Sequence, residues 1–308
     1  MNRRKNSLVR YSWGDRIFLT IVYGTLILVT LICLYPLFFT VIASVSDAYA
    51  VYRGEISFWP KGFTMEAYQM VLENKSIWRG YANTIIYTMT GTMLSLFLTI
   101  PVAYALSKRQ MYGQKILMTV FLITMYFSGG IIPTYILMDQ LKLVNTPWVI
   151  ILSGGLSVYN LIVTRTFFQS NIPESLYEAA RIDGASELRI FVQVALPLSK
   201  AILAVMALYY GVARWNSYFN AMIYLQDKDL FPLQLILRSI LILNENAFTA
   251  ALESDIDAAI LADLAHKSYL VTTMKYALVF IASAPMLMIY PKIQKYFVKG
   301  VMVGSVKG

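Results

Sequence analysis

Residues 172–197 read IPESLYEAARIDGASELRIFVQVALP, a polar interruption between two apolar stretches of the chain. Asn171 or a neighbour can cap a helix here, and Pro173 suits the first turn of that helix. Gly184 can adopt the left-handed conformation that ends a helix, and Ser186 can cap a second one. The pattern therefore predicts a helix-turn-helix, whose first helix runs to the residue before the glycine.

Two roles fit such a segment. Glu178, Arg181 and Asp183 supply charges that can pair with charges on another protein. Ala179 and Ala180 keep one helix face thin, so that a partner surface can approach closely. The segment also fits an amphipathic helix that lies on a membrane surface without a protein partner. The residues alone leave both roles open.

The composition indicates a protein that crosses the membrane several times. Of the 308 residues, 58% are hydrophobic and only 14% are charged. The net charge is +9, but the basic residues form short clusters beside apolar runs, as in membrane topology signals and not as in a nucleic-acid groove. Cys33 is the one cysteine and His266 the one histidine, which excludes a disulfide framework and a histidine-rich metal centre.

The apolar stretches predict an all-α membrane protein with six transmembrane helices. A spanning helix needs about 20 mostly apolar residues. Six stretches qualify, at 17–45, 84–107, 116–138, 147–168, 199–225 and 271–291.

The distribution of Lys and Arg predicts the orientation. Basic residues are dense before the first span, in 108–115, in 165–200 and after 291, which the positive-inside rule places in the cytoplasm. The expected organisation has four parts, namely a cytoplasmic N-terminus at 1–16, the first span and an outer loop at 17–83, a core of five spans at 84–291, and a cytoplasmic tail at 292–308.

Two spans contain residues that disturb or tighten a helix. Gly91 and Ser95 have the small-xxx-small spacing that lets neighbouring helices approach closely. Gly129, Gly130 and Pro133 weaken the third span and predict a kink or an unwound turn. The kink is equally consistent with a functional hinge and with a packing adjustment.

The fifth span carries polar and aromatic residues that are costly when they face lipid. Stacked aromatics and amides suit sugars. In the alternative role, Asn216 and Asn220 form hydrogen bonds between helices, and Arg214 pairs with a neighbouring residue or a lipid headgroup. The candidates for a substrate path are Tyr210, Arg214, Trp215, Asn216 and Asn220.

The predicted outer loop at 226–270 is acidic. Leu252, Ile256, Ile260 and Leu264 recur every four residues and predict an amphipathic helix. The neighbouring acids and His266 match no known metal-binding spacing, so we expect a solvated acidic face formed by Asp255, Asp257 and Asp263.

The polar interruption resembles the EAA signature of the membrane subunits of bacterial ABC importers, carried here by Glu178-Ala179-Ala180, Gly184 and Val194-Ala195-Leu196-Pro197. Val194 stands where the family usually has isoleucine. The stretches 127–135 and 182–185, the Trp215-Asn216 pair and the tail 299–308 are similar to the MalG-type carbohydrate permeases, in the subgroup that includes LplC and YtcP. We call residues 171–198 the EAA loop.

The resemblance implies a type I ABC importer permease in a bacterial plasma membrane, with a cytoplasmic EAA loop that docks onto an ATPase. The implied partners are a second, MalF-like permease, two ATPase subunits, an extracytoplasmic sugar-binding protein and the sugar itself. The residues expected at the coupling are Glu178, Ala179, Ala180, Arg181, Asp183, Gly184, Leu196 and Pro197. The external binding protein would contact the outer loop 226–270.

The energy source is expected in a partner subunit. The chain has no Gly-Lys-Ser/Thr sequence to cradle phosphates, so ATP and Mg²⁺ are expected in the ATPase and no cofactor in this chain. An ion-coupled secondary transporter is the alternative, but all seventeen acidic residues lie outside the six predicted spans, which argues against a proton relay. A membrane-embedded enzyme is disfavoured because no nucleophile–base set or metal motif occurs in a span.

Overall fold

The structure is a computed structural model that describes residues 12–108, 110–240 and 258–305, with side chains in the last stretch described at 269–291 and 294. Every regular element in these residues is a helix, which confirms the all-α expectation. The chain divides into two compact units, 1–70 with 248–280 and 71–247 with 281–308.

The first unit contains helices α1 (Trp13–Ser44) and α2 (Ala48–Tyr52). The Asp15 carboxylate accepts a hydrogen bond from the Ser12 backbone N–H at 3.1 Å, so α1 begins ahead of the predicted residue 17. Most of its large apolar side chains are exposed, as expected for a helix surrounded by lipid, and burial begins only at Ile42.

Helix α3 (Glu66–Glu73) precedes α4 (Lys75–Ser107), the long helix of the second unit. Helix α4 begins nine residues ahead of the predicted start of the span at 84. The Asn74 side chain caps α4 by accepting a hydrogen bond from the Ser76 N–H at 3.0 Å. In the second turn of α4, Arg79 forms an exposed ion pair with Asp229.

Several predicted spans are interrupted. The third span is divided into α5 (Gln114–Tyr126) and α6 (Ile131–Gln140), which are bent by 112°. The fourth is divided into α7 (Pro147–Leu152) and α8 (Val158–Asn171), and the fifth into α12 (Lys200–Trp215) and α13 (Phe219–Tyr224). The prediction of continuous helices at 147–168 and 199–225 is therefore wrong.

Glycine explains the break between α7 and α8. Gly154 has a φ of +69°, which ends the helix inside an otherwise apolar run. By length and composition, three described helices can cross a membrane, or five if each bent pair is one span. The count of six spans stays a prediction.

The chain continues through a short 3₁₀ turn (Lys228–Leu230) into helix α14, whose described residues are 233–240. Helix α15 (Ala258–Ser305) then runs through Pro285 and Pro291, beyond the predicted span 271–291. Two residues of the predicted amphipathic pattern, Ile260 and Leu264, are helical, as are Asp263 and His266. The other members of that pattern and acidic face, Leu252, Asp255, Ile256 and Asp257, lie outside the described residues.

Arg214 of α12 connects three helices of the second unit. Its guanidinium donates to the Ile150 carbonyl of α7 at 3.0 Å and to the Ser95 hydroxyl of α4 at 3.0 Å. Ile150 lies in the last turn of α7, where carbonyls lack a partner further along the helix. Gly91 and Ser95 leave room for this side chain, so the predicted small-residue notch admits an arginine as well as a neighbouring helix.

Tyr210 of α12 serves the other side of the same break. Its hydroxyl accepts a hydrogen bond from the Ser157 backbone N–H, just ahead of α8, at 3.1 Å. The same hydroxyl lies 2.7 Å from the Thr99 hydroxyl of α4. Side chains of α12 therefore satisfy backbone groups on both sides of the break between α7 and α8.

We predict that Gly91→Ala destabilises the fold, although alanine has the higher helix propensity. A Cβ at Gly91 would lie 2.5 Å from the Arg214 guanidinium carbon and would displace it from both hydrogen bonds. Overpacking of this kind costs about 1–3 kcal/mol. The measurement is thermal unfolding of the purified protein in detergent, followed by intrinsic fluorescence.

The matched control is Gly211→Ala on α12, where the new Cβ would meet only the Thr92 hydroxyl at 3.9 Å. This variant should melt at or above the wild-type temperature. Equal melting temperatures for the two variants would contradict the proposed role of the notch.

Candidate functional site

The EAA loop forms the predicted pair of helices. Helix α9 (Glu174–Ile182) is followed by Gly184 with a φ of +78°, and α10 (Glu187–Ile190) begins after Ser186. The Ser186 hydroxyl accepts a hydrogen bond from the Arg189 N–H at 3.4 Å, which caps α10 as expected. The left-handed glycine thus sets the angle between the two helices.

The beginning of α9 differs from the prediction. Asn171 ends α8 and does not cap α9, because its side-chain amide donates to the Phe167 carbonyl at 3.3 Å. Pro173 occupies the N-cap position without a side-chain hydrogen bond. The intervening Ile172 is buried in the core, which fixes where the chain leaves α8.

The end of the loop leads into α12 through a sharp bend. A π-helical turn (Phe191–Ala195) and a short helix α11 (Leu196–Leu198) follow α10. The 187–198 segment and α12 are bent by 80°. Leu196 is half-buried against the core, and Pro197 is exposed immediately before the bend.

The loop exposes both charged and apolar side chains. Glu178 and Ala179 are exposed on α9, as are Asp183 and Gly184 at the turn. Ile182 is 85% exposed and Leu188 is 72% exposed, so large apolar side chains stand on either side of the turn. The sequence pattern does not mark these two residues as a pair, because they lie on different helices and are brought near the same turn by Gly184.

The inner face of α9 packs on the end of α4. Tyr177 is only 2% exposed, and its ring lies edge-on to the ring of Tyr104 of α4, with centroids 6.1 Å apart. Ala180 packs against the same core cluster. Burial raises the pKa of Tyr177 to about 12, and Glu174 adds to that rise, so the phenol is neutral at physiological pH.

Arg181 joins the two helices of the loop. Its guanidinium donates to the Glu187 carboxylate at 3.0 Å and lies 3.6 Å from the Glu174 carboxylate. The hydrogen bond to Glu187 raises the pKa of Arg181, so it stays charged. Tyr104 donates a longer hydrogen bond of 3.4 Å to Glu187, which links the loop to α4.

Lys108, the residue after α4, inserts its amine between aromatic rings. The Nζ atom lies 4.8 Å from the centroid of Tyr104 and 2.8 Å from the centroid of Tyr177. A cleft of about 350 Å³ opens beside it, lined by residues of α4, α8 and α9 that include Ser107, Gln169, Glu174, Glu178 and Arg181. In the sequence, Lys108 is recognisable only as a basic residue of the topology pattern, since the ring on α9 is distant in sequence.

Three of the candidate path residues are engaged in contacts within the second unit. Tyr210 and Arg214 hold the break described above. Trp215 is buried, donates its indole N–H to the Ala282 carbonyl at 2.9 Å and packs edge-on against Tyr81. Of these three residues, Arg214 has the neighbouring partners that its alternative role requires.

The other two candidates are more accessible. Asn216 is exposed at the end of α12, where its amide donates to the Val212 carbonyl at 3.0 Å. Asn220 is half-buried in the first turn of α13. These side chains flank the interruption at 216–218 that separates α12 from α13.

The hinge candidates lie at the 112° bend. Gly129 and Gly130 fall between α5 and α6, and Gly130 has a φ of +86°. Pro133 lies in the first turn of α6, where a missing N–H costs no helical hydrogen bond. All three are exposed.

Relatives and solved structures are similar along nearly the whole chain. In the Bacillus subtilis strain 168 protein named polygalacturonan/rhamnogalacturonan transport system permease protein YtcP, 36% of 294 aligned residues are identical, covering 96% of this chain and 99% of that protein. Protein LplC of the same organism is 36% identical over 277 residues, or 90% of each chain.

A crystal structure of a bacterial ABC transporter involved in the import of the acidic polysaccharide alginate includes a chain with a TM-score of 0.81 and 34% identity, covering 93% of this chain and 99% of that one. The fold is therefore that of the type I ABC importer permeases. Residues 76–302 match the family described as binding-protein-dependent transport system inner membrane component. The chain belongs to that family.

Proposed function

We propose that this chain is one of two permease subunits of an ATP-driven, binding-protein-dependent importer of sugars. Family membership and the names of the relatives support this function, and they favour oligosaccharides as cargo. Oligosaccharides of acidic polysaccharides are the first class to test, since YtcP and the solved alginate transporter are both associated with acidic polymers.

The chain contributes a path and not a catalytic centre. A second, MalF-like permease would form the other half of the path, and an extracytoplasmic binding protein would deliver the sugar. Two ATPase subunits would bind ATP and Mg²⁺ and hydrolyse the nucleotide in the cytoplasm. The positive-inside pattern supports a cytoplasmic position for both termini and for the EAA loop.

The single observation that carries the proposal is the surface of the EAA loop. Ile182 and Leu188 are strongly exposed around the Gly184 turn, and Glu178 is exposed on the same loop. Apolar anchors surrounded by polar groups are typical of protein interfaces. Bound to an ATPase, this surface would move when the two ATPase subunits close on ATP.

The movement can reach the membrane helices because the loop is continuous with α12. Leu196 and Pro197 stand directly before the 80° bend into α12. A shift of α10 and α11 would therefore change the tilt of α12. An alternation between inward- and outward-facing states needs an interface that differs between the states, and the bend provides one place for that difference.

We predict that Glu178→Lys lowers sugar uptake at least tenfold while membrane insertion stays normal. In the described residues Glu178 makes no ion pair, so its replacement should spare the fold and act on the docking surface. The measurements are co-purification of the ATPase subunits and ATP-dependent uptake of oligosaccharide into proteoliposomes containing the complete importer. Glu66→Lys makes the same charge change at an exposed acid of α3 and should retain uptake. Wild-type uptake by the Glu178 variant would refute the docking role.

We predict that Gly184→Val nearly abolishes uptake, whereas Gly184→Asn keeps most of it. At a φ of +78° a β-branched residue is strained, but asparagine tolerates the left-handed region. No neighbouring atom blocks a Cβ at this position, so the backbone conformation and not crowding is tested. Uptake and ATPase activity of the two variants are compared in the same proteoliposomes. Equal loss in both variants would show that the turn geometry is not the cause.

We predict that Asn216→Ala lowers uptake several-fold without releasing the ATPase, because an exposed amide beside the α12–α13 interruption is the candidate best placed to meet a sugar hydroxyl. The measurements are the dependence of uptake on sugar concentration and the amount of ATPase that co-purifies. Unchanged uptake kinetics would remove Asn216 from the path.

A further inference from the structure

The amine of Lys108 is buried under the EAA loop without a hydrogen-bond partner. In the described residues its Nζ atom has no accepting group within hydrogen-bond distance, although the atom itself is screened from solvent. Burying an ammonium group is costly unless other groups compensate. Lys108 stands at the end of α4, where its side chain could have extended into water, so the burial of its amine needs an explanation.

Two aromatic faces and two acids provide the compensation. The amine lies 2.8 Å from the centroid of Tyr177 and 4.8 Å from that of Tyr104, within the range of cation–π attraction. The carboxylates of Glu174 and Glu187 also favour the charged amine, whereas Arg181 opposes it. The groups come from α4, from α9 and from α10, so the amine is the point at which these helices meet.

The contacts connect the loop to a helix that is distant in sequence. Tyr177 belongs to α9 and Glu187 to α10, while Tyr104 and Lys108 are at the end of α4. The hydrogen bond between Tyr104 and Glu187 is long, at 3.4 Å, and cannot alone hold the loop in place. The amine seated against the ring of Tyr177 is a polar contact that joins the end of α4 to α9, beside the packing of Tyr177 on Tyr104.

We propose that Lys108 is a positioning residue, whose buried amine fixes the EAA loop on the end of α4 so that movement of the loop is passed to α4 as well as to α12. This inference rests on the proposed function, since it assigns a role within the coupling between ATPase and permease. It adds a second route to the covalent one through Leu196 and Pro197.

The environment of the Lys108 amine favours loss of its proton. Burial lowers the pKa of Lys108 from 10.5 to about 8, and the nearby Glu174 and Glu187 limit the fall. Between these two pH values the unfolded chain binds the proton more tightly than the folded one, so folding stability rises as pH rises through that window. At neutral pH the amine is charged in both states, and the faces of Tyr177 and Tyr104 help to offset the cost of its burial.

The test compares Lys108→Met, Lys108→Arg and the control Lys115→Met, an exposed lysine of α5, in the complete importer. Amide hydrogen exchange of residues 174–190 reports the position of the loop without any cargo. We expect Lys108→Met to raise exchange in this segment about tenfold and to lower sugar per ATP by about the same factor. Lys108→Arg and Lys115→Met should resemble the wild type in both at pH 7.

A second pair of variants guards against a general folding defect. Tyr177→Phe keeps the ring and removes a hydroxyl that has no partner in the described residues, so coupling should be retained. Tyr177→Leu removes the ring face and should reproduce the effect of Lys108→Met. Adding Lys108→Met to Tyr177→Leu should then cause little further loss.

The outcomes separate this inference from the proposed function. Unchanged exchange of 174–190 in Lys108→Met would overturn the positioning role, whatever the cargo. Loss of ATPase binding together with global unfolding in both Lys108→Met and Lys108→Arg would also overturn it, since Lys108 would then be only a structural support. Failure of the wild-type importer to accumulate any sugar with ATP, with exchange changed as expected, would refute the proposed function and leave the positioning of the loop established.

Discussion

The carbonyl of Ile150 lies in the last turn of α7, and the arrangement of the second unit depends on how this carbonyl obtains a hydrogen-bond donor. A helix that stops inside an apolar layer leaves backbone groups unpaired, each costing several kcal/mol if unsatisfied. Arg214 satisfies this carbonyl, and Tyr210 satisfies the Ser157 N–H across the break. Both of these side chains come from α12, and both also bond to α4. The break between α7 and α8 therefore depends on the contact between α4 and α12.

The contact between α4 and α12 also determines how a movement of the EAA loop would reach these helices. The EAA loop meets α4 at its end through Lys108 and Tyr104, and it enters α12 through Leu196 and Pro197. Arg214 already ties α4 and α12 to each other further along. A loop attached to two helices that are locked together would move them as one body, and α7, held by the same guanidinium, would follow. The coupling would thus be a tilt of a helix group more than a bend within one helix.

Local signals predicted the parts of this arrangement that local chemistry determines. The glycine turn, the serine cap and the break at Gly129 and Gly130 follow from φ preferences and from hydrogen bonds made within a few residues. The partners of Lys108 and Arg214 could not be predicted from local signals, because a cation–π contact or a side-chain cap across helices depends on tertiary packing. Gly154 and Gly155 mark the break at 153–157 in the sequence, but the stretch around them is apolar and long enough to predict one continuous span.

The same reasoning narrows where cargo can be recognised. A buried polar group that already has hydrogen-bond partners binds a ligand only at a cost in free energy, because the partner that it leaves would become unsatisfied. Tyr210, Arg214 and Trp215 already bond in this way to backbone or hydroxyl groups of neighbouring helices, although the Arg214 Nε atom has no partner in the described residues. On the proposed path, recognition of a sugar would fall to groups that can exchange water for hydroxyls at little cost, such as the exposed amide of Asn216 and the backbone at 216–218. The buried polar residues would maintain the structure around the path, while exposed groups at its edge would bind the sugar.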